Sequence, residues 1–499
     1  MYRPIKKRKK FTFDVERISD THYAAKASKD FDSDFRTKSR HYEFPISDTS
    51  VLEQAEKLGM EILLPPERCR ESYEPQSVDI DLDERLYDYQ KEDVRKAAAW
   101  GRAFLGLEMG CGKTAMAIAL MKHFGGRALV VCPSYLCKNW IRECSFWHPD
   151  LDVRIVKKTV PDHSCVISYD LTHRRELGRF NVVILDESHY IKNKSAKRTK
   201  ALMRLARVTP HVFLLSGTPA PNRPVELWSQ LATILGVNRI GTYTSFTRRY
   251  CGAKMSPLGF VDVSGATHRQ ELAWYMKSTC LIRRLKRDVL DLPKKTRCTL
   301  EVDVKQGKMK KKFARWREIN RLCMQQETHE LIFERKALVS QLFMDTAHAK
   351  VQVVQKICAD LPPRTLVFYH HKVLGDAIQD ALPECMRIDG STPQDKRDQY
   401  VQDFQDGRVD YCVLSILAAG TGVTLTRANN ILFAELYFVP GVMLQAEDRV
   451  HRIGVKEPLT ITYVLANGSL DNHMFKNIKK KLSTIDRCLD NRTDRVFMN

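Results

Sequence analysis

Short continuous apolar runs, separated by amphipathic stretches, recur along the chain from residue 102 onward. The first series is 102–107 (RAFLGL), 128–132 (ALVVC), 165–167 (CVI), 181–185 (NVVIL) and 211–215 (HVFLL). Runs without polar alternation predict strands buried on both faces, and the helical pattern between them predicts a parallel sheet covered on each side. Each run ends in polar residues, at 108–114, 133–134, 168–170, 186–189 and 216–219. In such sheets ligands gather at the carboxyl ends of the strands. A second series follows at 364–369, 387–392, 411–415 and 431–434. Residues 222–300 are more helical and polar, and 305–345 carry a dense run of charge. Near the N-terminus, Phe11, Phe13 and Val15 alternate like a strand and 41–45 suggests another. Ser50 is placed to cap a helix through Met60, before an apolar run at 62–64.

The expected fold class is therefore α/β: two lobes with parallel sheets, helical insertions between them, and a small α+β N-terminal module. The expected boundaries are a basic arm at 1–10, the module at 11–66, a linker at 67–81, the first lobe with a helical insertion at 82–300, a basic helical connector at 301–345, the second lobe at 346–485 and a tail at 486–499.

Segment 107–114 (LEMGCGKT) reads as a phosphate-binding loop opening a helix over 115–124. Gly110 and Gly112 allow the tight turn, and the helix N-terminus aims N–H groups and its positive dipole end at an anion. Lys113 is placed to reach the β/γ-phosphates of ATP, and Thr114 to hold Mg²⁺. The full pattern asks for a glycine where Leu107 stands. Asp186 and Glu187, at the end of an apolar strand, supply the second half. Asp186 is placed to hold Mg²⁺, and Glu187 to orient and deprotonate the attacking water. Gln90, upstream of the loop, presents an amide able to read the edge of adenine, or is a solvated surface residue. Arg449 and Arg452 are spaced for one helical face, from which they would stabilise charge on the transferring phosphoryl group. The alternative for them is ordinary surface.

Composition narrows the partners. The 499 residues carry a formal net charge of +21, which favours a polyanion such as nucleic acid. No apolar run reaches membrane-spanning length, and the N-terminus has a basic run at Lys6–Lys10 where a secretory signal would be apolar. That arm reads as a nuclear address, a phosphate-contacting tail or a frayed terminus. An intracellular chain is expected, nuclear if its host is eukaryotic. The 14 cysteines read as reduced thiols. Cys132, Cys137 and Cys144 come closest to a cluster, but at spacings that fit no zinc site.

Taken together, these stretches resemble the Swi/Snf family of superfamily-two DNA translocases, in one colinear series over roughly 82–475. It is carried by 86–90 (LYDYQ), 108–114, 132–134 with Trp140, 186–189 (DESH) followed by 191–193, 216–219 (SGTP), 285–290 (LKRDVL), 415–422 and 445–454 (QAEDRVHRIG). Residues 433–436, 440–441 and 445–448 resemble the SMARCAL-type, or annealing-helicase, branch, and 31–35, 41–44 and 52–58 resemble its HARP domain. The resemblance implies two RecA-like lobes closing on ATP. Lys113, Thr114, Asp186 and Glu187 come from the first lobe, Gln445, Arg449 and Arg452 from the second, and Gln90, Gly110 and Gly112 complete the nucleotide site. It also implies a monomeric motor on double-stranded and branched DNA, with no membrane partner. Leu107, the pair Phe438–Val439, and Val455 depart from the family's usual residues, without removing a catalytic group. The rival expectations are a remodeller of nucleosomes or protein–DNA complexes, a non-hydrolysing scaffold, and an RNA helicase.

Overall fold

The computed structural model describes residues 11–17, 22–27, 36–38, 41–45, 60–63 and 78–490, apart from 257, 327, 419–424 and 453. Of the expected 51–60 helix only Met60 is described, and it opens a strand instead; the basic arm and most of the linker lie outside the described residues.

The N-terminal strands are β1 (Phe11–Arg17), β2 (His22–Ala27), β3 (Arg36–Lys38), β4 (His41–Pro45) and β5 (Met60–Leu63). They form a sheet in the order β3-β4-β2-β1-β5. Its pairs are antiparallel except β1 with β5.

The first lobe contains β6 (Arg102–Leu105), β7 (Ala128–Cys132), β8 (Val153–Ile155), β9 (Ser164–Ser168), β10 (Val182–Asp186) and β11 (His211–Leu215). The short hairpin β12 (Lys254–Met255) and β13 (Val261–Asp262) stands apart, and β14 (Leu281–Ile282) rejoins the sheet. The strand order is β14-β6-β11-β10-β7-β9-β8, parallel throughout. Every residue of β7 is buried, as expected of a strand covered on both faces. The register sets Leu105 and Asp186 each beside Leu215, so the phosphate loop, the acidic pair and the 216–219 turn leave the same sheet edge.

The second lobe is built on β15 (Lys295–Val302), β16 (Thr365–Tyr369), β17 (Met386–Ile388), β18 (Tyr411–Ser415), β19 (Asn430–Phe433) and β20 (Leu459–Ala466). These are also all parallel, in the order β15-β20-β19-β16-β18-β17. Two parallel-sheet lobes of the RecA-like kind are thus present, as the sequence implies.

Three expected boundaries shift. The 300/301 division falls inside β15, which pairs with β20 over its whole length and so belongs to the second sheet. This strand is mostly exposed and carries Lys295, Arg297 and Glu301, the polar composition of an edge strand rather than the apolar run of a central one. The 345/346 division falls inside one helix, His329–Ala359, whose Leu342, Phe343 and Thr346 are buried together. The 485/486 division cuts the last helix, Leu470–Leu489. Its Leu470, Met474, Phe475, Ile478 and Leu482 lie in the second lobe's core, and its Ile485 and Leu489 in a core of the first lobe.

Candidate active site between the lobes

The phosphate loop runs from the end of β6 into the helix Lys113–Phe124. Gly110 and Gly112 have φ of 84° and 74°, the left-handed region in which side chains are disfavoured. Leu107 is fully buried, so where the pattern asks for glycine this chain places a core residue. Lys113 is half-buried, and its ammonium donates to the carbonyls of Leu107 (2.9 Å) and Glu108 (3.0 Å). Burial pulls the amine below its ordinary range, opposed by Glu187 and Asp186. Thr114 follows as the second helical residue and is partly exposed.

Asp186 is the last residue of β10. Trp140 Nε1–H donates to its Oδ2 at 2.9 Å, and the Glu187 N–H to its Oδ1 at 2.9 Å. The Tyr169 hydroxyl donates to its backbone carbonyl at 2.8 Å. Burial, and then the charge of Glu187, push the Asp186 carboxyl up to about 6 against the pull of Trp140 and Lys113. Glu187 has a left-handed backbone, φ 51°, which turns the chain sharply out of the strand. Burial also opposes its ionisation, but the His189 side chain, Lys113 and Arg449 outweigh it, and its carboxyl lies below the usual range. Its Oε2 is 3.3 Å from His189 Nδ1, an ion-pair distance without hydrogen-bond alignment, and so is a buried acceptor with no protein hydrogen bond. Two adjacent carboxyls are thus pushed in opposite directions, Asp186 up and Glu187 down, by the groups each one faces.

The second lobe closes this cleft. Arg452 packs directly on the loop: a Cβ built on Gly110 would lie 3.4 Å from its Cγ and 3.7 Å from its Cα. Burial, then the neighbouring Arg449, push Arg452 down to about 10. Arg449 is buried, and its charge acts on Glu187 and Tyr135. The two arginines are not on a helix as expected. The helix Pro440–Glu447 ends before them, with a turn over 448–450 and a bend over 451–452. The Arg449 carbonyl leaves the helical ladder to accept from Leu425 N–H (3.0 Å), and the Arg452 guanidinium donates to the Asp448 carbonyl (2.9 Å). Gln445 is buried, and its amide donates to Thr218 Oγ1 (3.1 Å) in the 216–219 turn of the opposite lobe.

Gln90 is neither solvated nor turned to an open site. Its Oε1 accepts from Tyr87 N–H (2.9 Å), capping the helix Asp88–Trp100, and its Nε2 donates to the Cys111 carbonyl (3.2 Å). Here the amide braces the phosphate loop from behind.

Sequence reasoning gave no specific role to several groups. Ser188 Oγ donates to Gln230 Oε1 (2.7 Å), and Gln230 Nε2 donates to the Pro219 carbonyl (2.7 Å), joining the acidic turn to the 216–219 turn. Lys286 links the lobes behind the loop, its ammonium donating to Asp448 Oδ1 (2.9 Å) and its N–H to Glu108 Oε2 (2.7 Å). Trp140 and Lys286 sit in stretches already singled out, but pairing them across 46 and 162 residues requires the fold.

The matching family models are the SNF2-related domain over residues 89–353 and the helicase conserved C-terminal domain over 349–454. A curated relative, the SWI/SNF-related matrix-associated actin-dependent regulator of chromatin subfamily A-like protein 1 homolog of Caenorhabditis elegans, is 34% identical over 439 residues, 82% of this chain and 62% of the relative. The DNA annealing helicase and endonuclease ZRANB3 of Mus musculus is 34% identical over 445 residues, 83% of this chain and 41% of the relative. The chain therefore spans less than two thirds of the length of these relatives. Among solved structures, the Sulfolobus solfataricus SWI2/SNF2 ATPase core in complex with dsDNA aligns over 84% of this chain and 95% of that one, with 19% identity and a TM-score of 0.41.

Proposed function

The chain belongs to the SNF2-related family, and on that premise we propose that it hydrolyses ATP to translocate on double-stranded DNA, annealing complementary strands and remodelling forks and other branched DNA. The observation that carries this reading is the packing of Arg452 on Gly110, which puts both lobes at one phosphate loop. The residues present fit ATP with Mg²⁺. The loop supplies left-handed glycines and a helix N-terminus, and Asp186 is a carboxyl whose ionised form a cation would relieve. Thr114 and Asp186 would hold Mg²⁺, which when bound neutralises phosphate charge. Lys113 would turn from the loop carbonyls to the phosphates, and Glu187 would take a proton from the attacking water on Oε2, which His189 faces at 3.3 Å without a hydrogen bond. Arg449 and Arg452 would stabilise the charge that develops opposite. Because these arginines belong to the second lobe, hydrolysis is coupled to the relation between lobes, and so to movement along DNA.

The annealing branch is supported by the relatives' names and by the HARP-like stretches of the N-terminal module, which we propose adapts the motor to branched DNA. The basic arm would add phosphate contacts or a nuclear address. The test is ATP turnover and strand annealing by wild type and Glu187→Gln on fork DNA, plain duplex, nucleosomes and RNA duplex. Strongest stimulation by forks, lost in the variant, supports the reading. Strongest stimulation by nucleosomes makes the chain a remodeller of protein–DNA complexes, and no turnover on any substrate makes it a scaffold.

A further inference from the structure

Cys132 ends β7, and Cys137 is the first residue of the helix Cys137–Trp147. Their sulfurs lie 3.6 Å apart in a buried site. A disulfide needs about 2.05 Å between sulfurs, so oxidation would shorten this gap by about 1.5 Å. The turn between them is held by the Leu136 N–H donating to the Pro133 carbonyl at 2.9 Å. The contraction therefore falls on the junction of strand and helix.

Both ends of this junction lead to Asp186. Trp140, one turn along the helix from Cys137, holds its Oδ2. Tyr169, whose N–H donates to the Cys132 carbonyl at 3.2 Å, holds its backbone carbonyl through the phenol. The two thiols differ in a way that suits stepwise oxidation. Cys132 is fully buried, whereas Cys137 keeps a narrow exposed edge and sits at a helix N-terminus, where the dipole favours a thiolate. Contact with the Cys132 sulfur, in which either thiol can be the donor, draws Cys137 below the ordinary thiol range.

We propose that Cys132 and Cys137 form a reversible peroxide-modification site whose disulfide displaces Trp140 from Asp186 and slows nucleotide turnover. The Cys137 thiolate attacks one oxygen of hydrogen peroxide, the O–O bond breaks, and the departing hydroxide takes a proton to become water. The Cys132 sulfur then attacks the Cys137 sulfenic acid, the S–O bond breaks as the S–S bond forms, and a second water leaves with the Cys132 proton. Two thiols lose two electrons, and one peroxide becomes two waters. The effect on turnover rests on the ATPase reading; the disulfide itself does not.

The test uses the whole chain, exposed to hydrogen peroxide, alkylated and digested with trypsin. Residues 128–138 form one tryptic peptide holding both cysteines. The expected product is that peptide unalkylated and lighter by two hydrogen atoms. It should be accompanied by about a tenfold loss of ATP turnover, the scale of one hydrogen bond to a charged group, and dithiothreitol should reverse both. Cys137→Ser and Cys132→Ala should each abolish the product and keep turnover under peroxide. Full alkylation of both thiols under peroxide that oxidises the exposed Cys298 overturns the proposal, as does a linked peptide with unchanged turnover. If the reduced chain turns over no ATP, the ATPase reading fails instead. The peptide mass then still reads the disulfide, and amide exchange over 137–147 reads the displaced helix, with unchanged exchange counting against the proposal.

Discussion

Lys286 and Asp448 join the two lobes: the buried Lys286 ammonium donates to Asp448 Oδ1 at 2.9 Å and to the His451 carbonyl at 2.6 Å. Since the Lys286 N–H also holds Glu108, one residue ties the phosphate loop to the segment carrying Arg449 and Arg452. Lys286→Met would leave Asp448 facing Lys295 at 3.7 Å. Removing one partner of a buried pair costs about 3 kcal/mol, so the urea midpoint should fall accordingly. Steady-state kinetics should show a larger loss in kcat than in KM for ATP, because the lobes' relation is disturbed more than the loop itself. A variant with unchanged kcat would make Lys286 purely structural.

Trp140 sets the ionisation of Asp186 as well as its position. Its hydrogen bond favours the carboxylate, so Trp140→Phe should raise the Asp186 pKa beyond about 6. A hydrogen bond to a charged group is worth about 1.5 kcal/mol, or roughly one pH unit. In the metal-free chain the Asp186 carboxyl should titrate higher by about that much, as followed by the NMR shift of its carboxyl carbon. An unmoved titration would mean that another group sets the ionisation of Asp186.

Asp186 should also weaken the fold when it ionises. Its folded value, about 6, lies above the ordinary aspartate value of 3.8. The stability it contributes is therefore fully present below about pH 4 and is lost as pH rises through 6. Whatever the fixed offset between them, the difference between wild type and Asp186→Asn should move in the variant's favour by on the order of 2–3 kcal/mol between pH 4 and 7. Urea unfolding across that range measures the slope, and a flat difference would contradict the raised value.

Gly441 meets Pro221 across the lobe interface. Its N–H donates to the Pro221 carbonyl at 3.2 Å, and a Cβ would lie 2.9 Å from both Pro221 Cα and Cβ. Backbone cannot step aside as a flexible side chain can, so Gly441→Ala should cost about 1–3 kcal/mol of lobe closure. Scattering should report a more open chain and turnover should fall, while Lys113 still supports nucleotide binding. Unchanged scattering would show that the interface yields locally.

The sheets were legible because their strands are continuous apolar runs, and β7, β10, β11, β16 and β18 lie within a residue of where those runs stand. β15 was not, since an exposed edge strand carries lysine and arginine where a central one carries valine. In the site, Lys113, Asp186 and Glu187 could be located because each stands at or after the end of a strand in a local pattern. The conformation around Arg449 and Arg452 could not, because it depends on the Arg449 carbonyl pairing with Leu425, a partner 24 positions away. The surroundings of Gln90 were hidden for a similar reason: its side chain bonds Tyr87, Tyr89 and Cys111, the last of them 21 positions away. Spacing gives the residues, whereas long-range hydrogen bonds give their directions.

The last helix, seated in both cores, has a mechanical consequence. The chain passes from the first lobe to the second just before β15, and the 470–489 helix brings it back, secured there by Arg283 donating to Asp490 at 3.0 Å. Two tethers, one on each crossing, act like the two pins of a door. They leave swinging about the line between them as the easy motion, and resist sliding, twisting and separation. On the proposed function, closures guided in this way would each give a displacement of fixed direction.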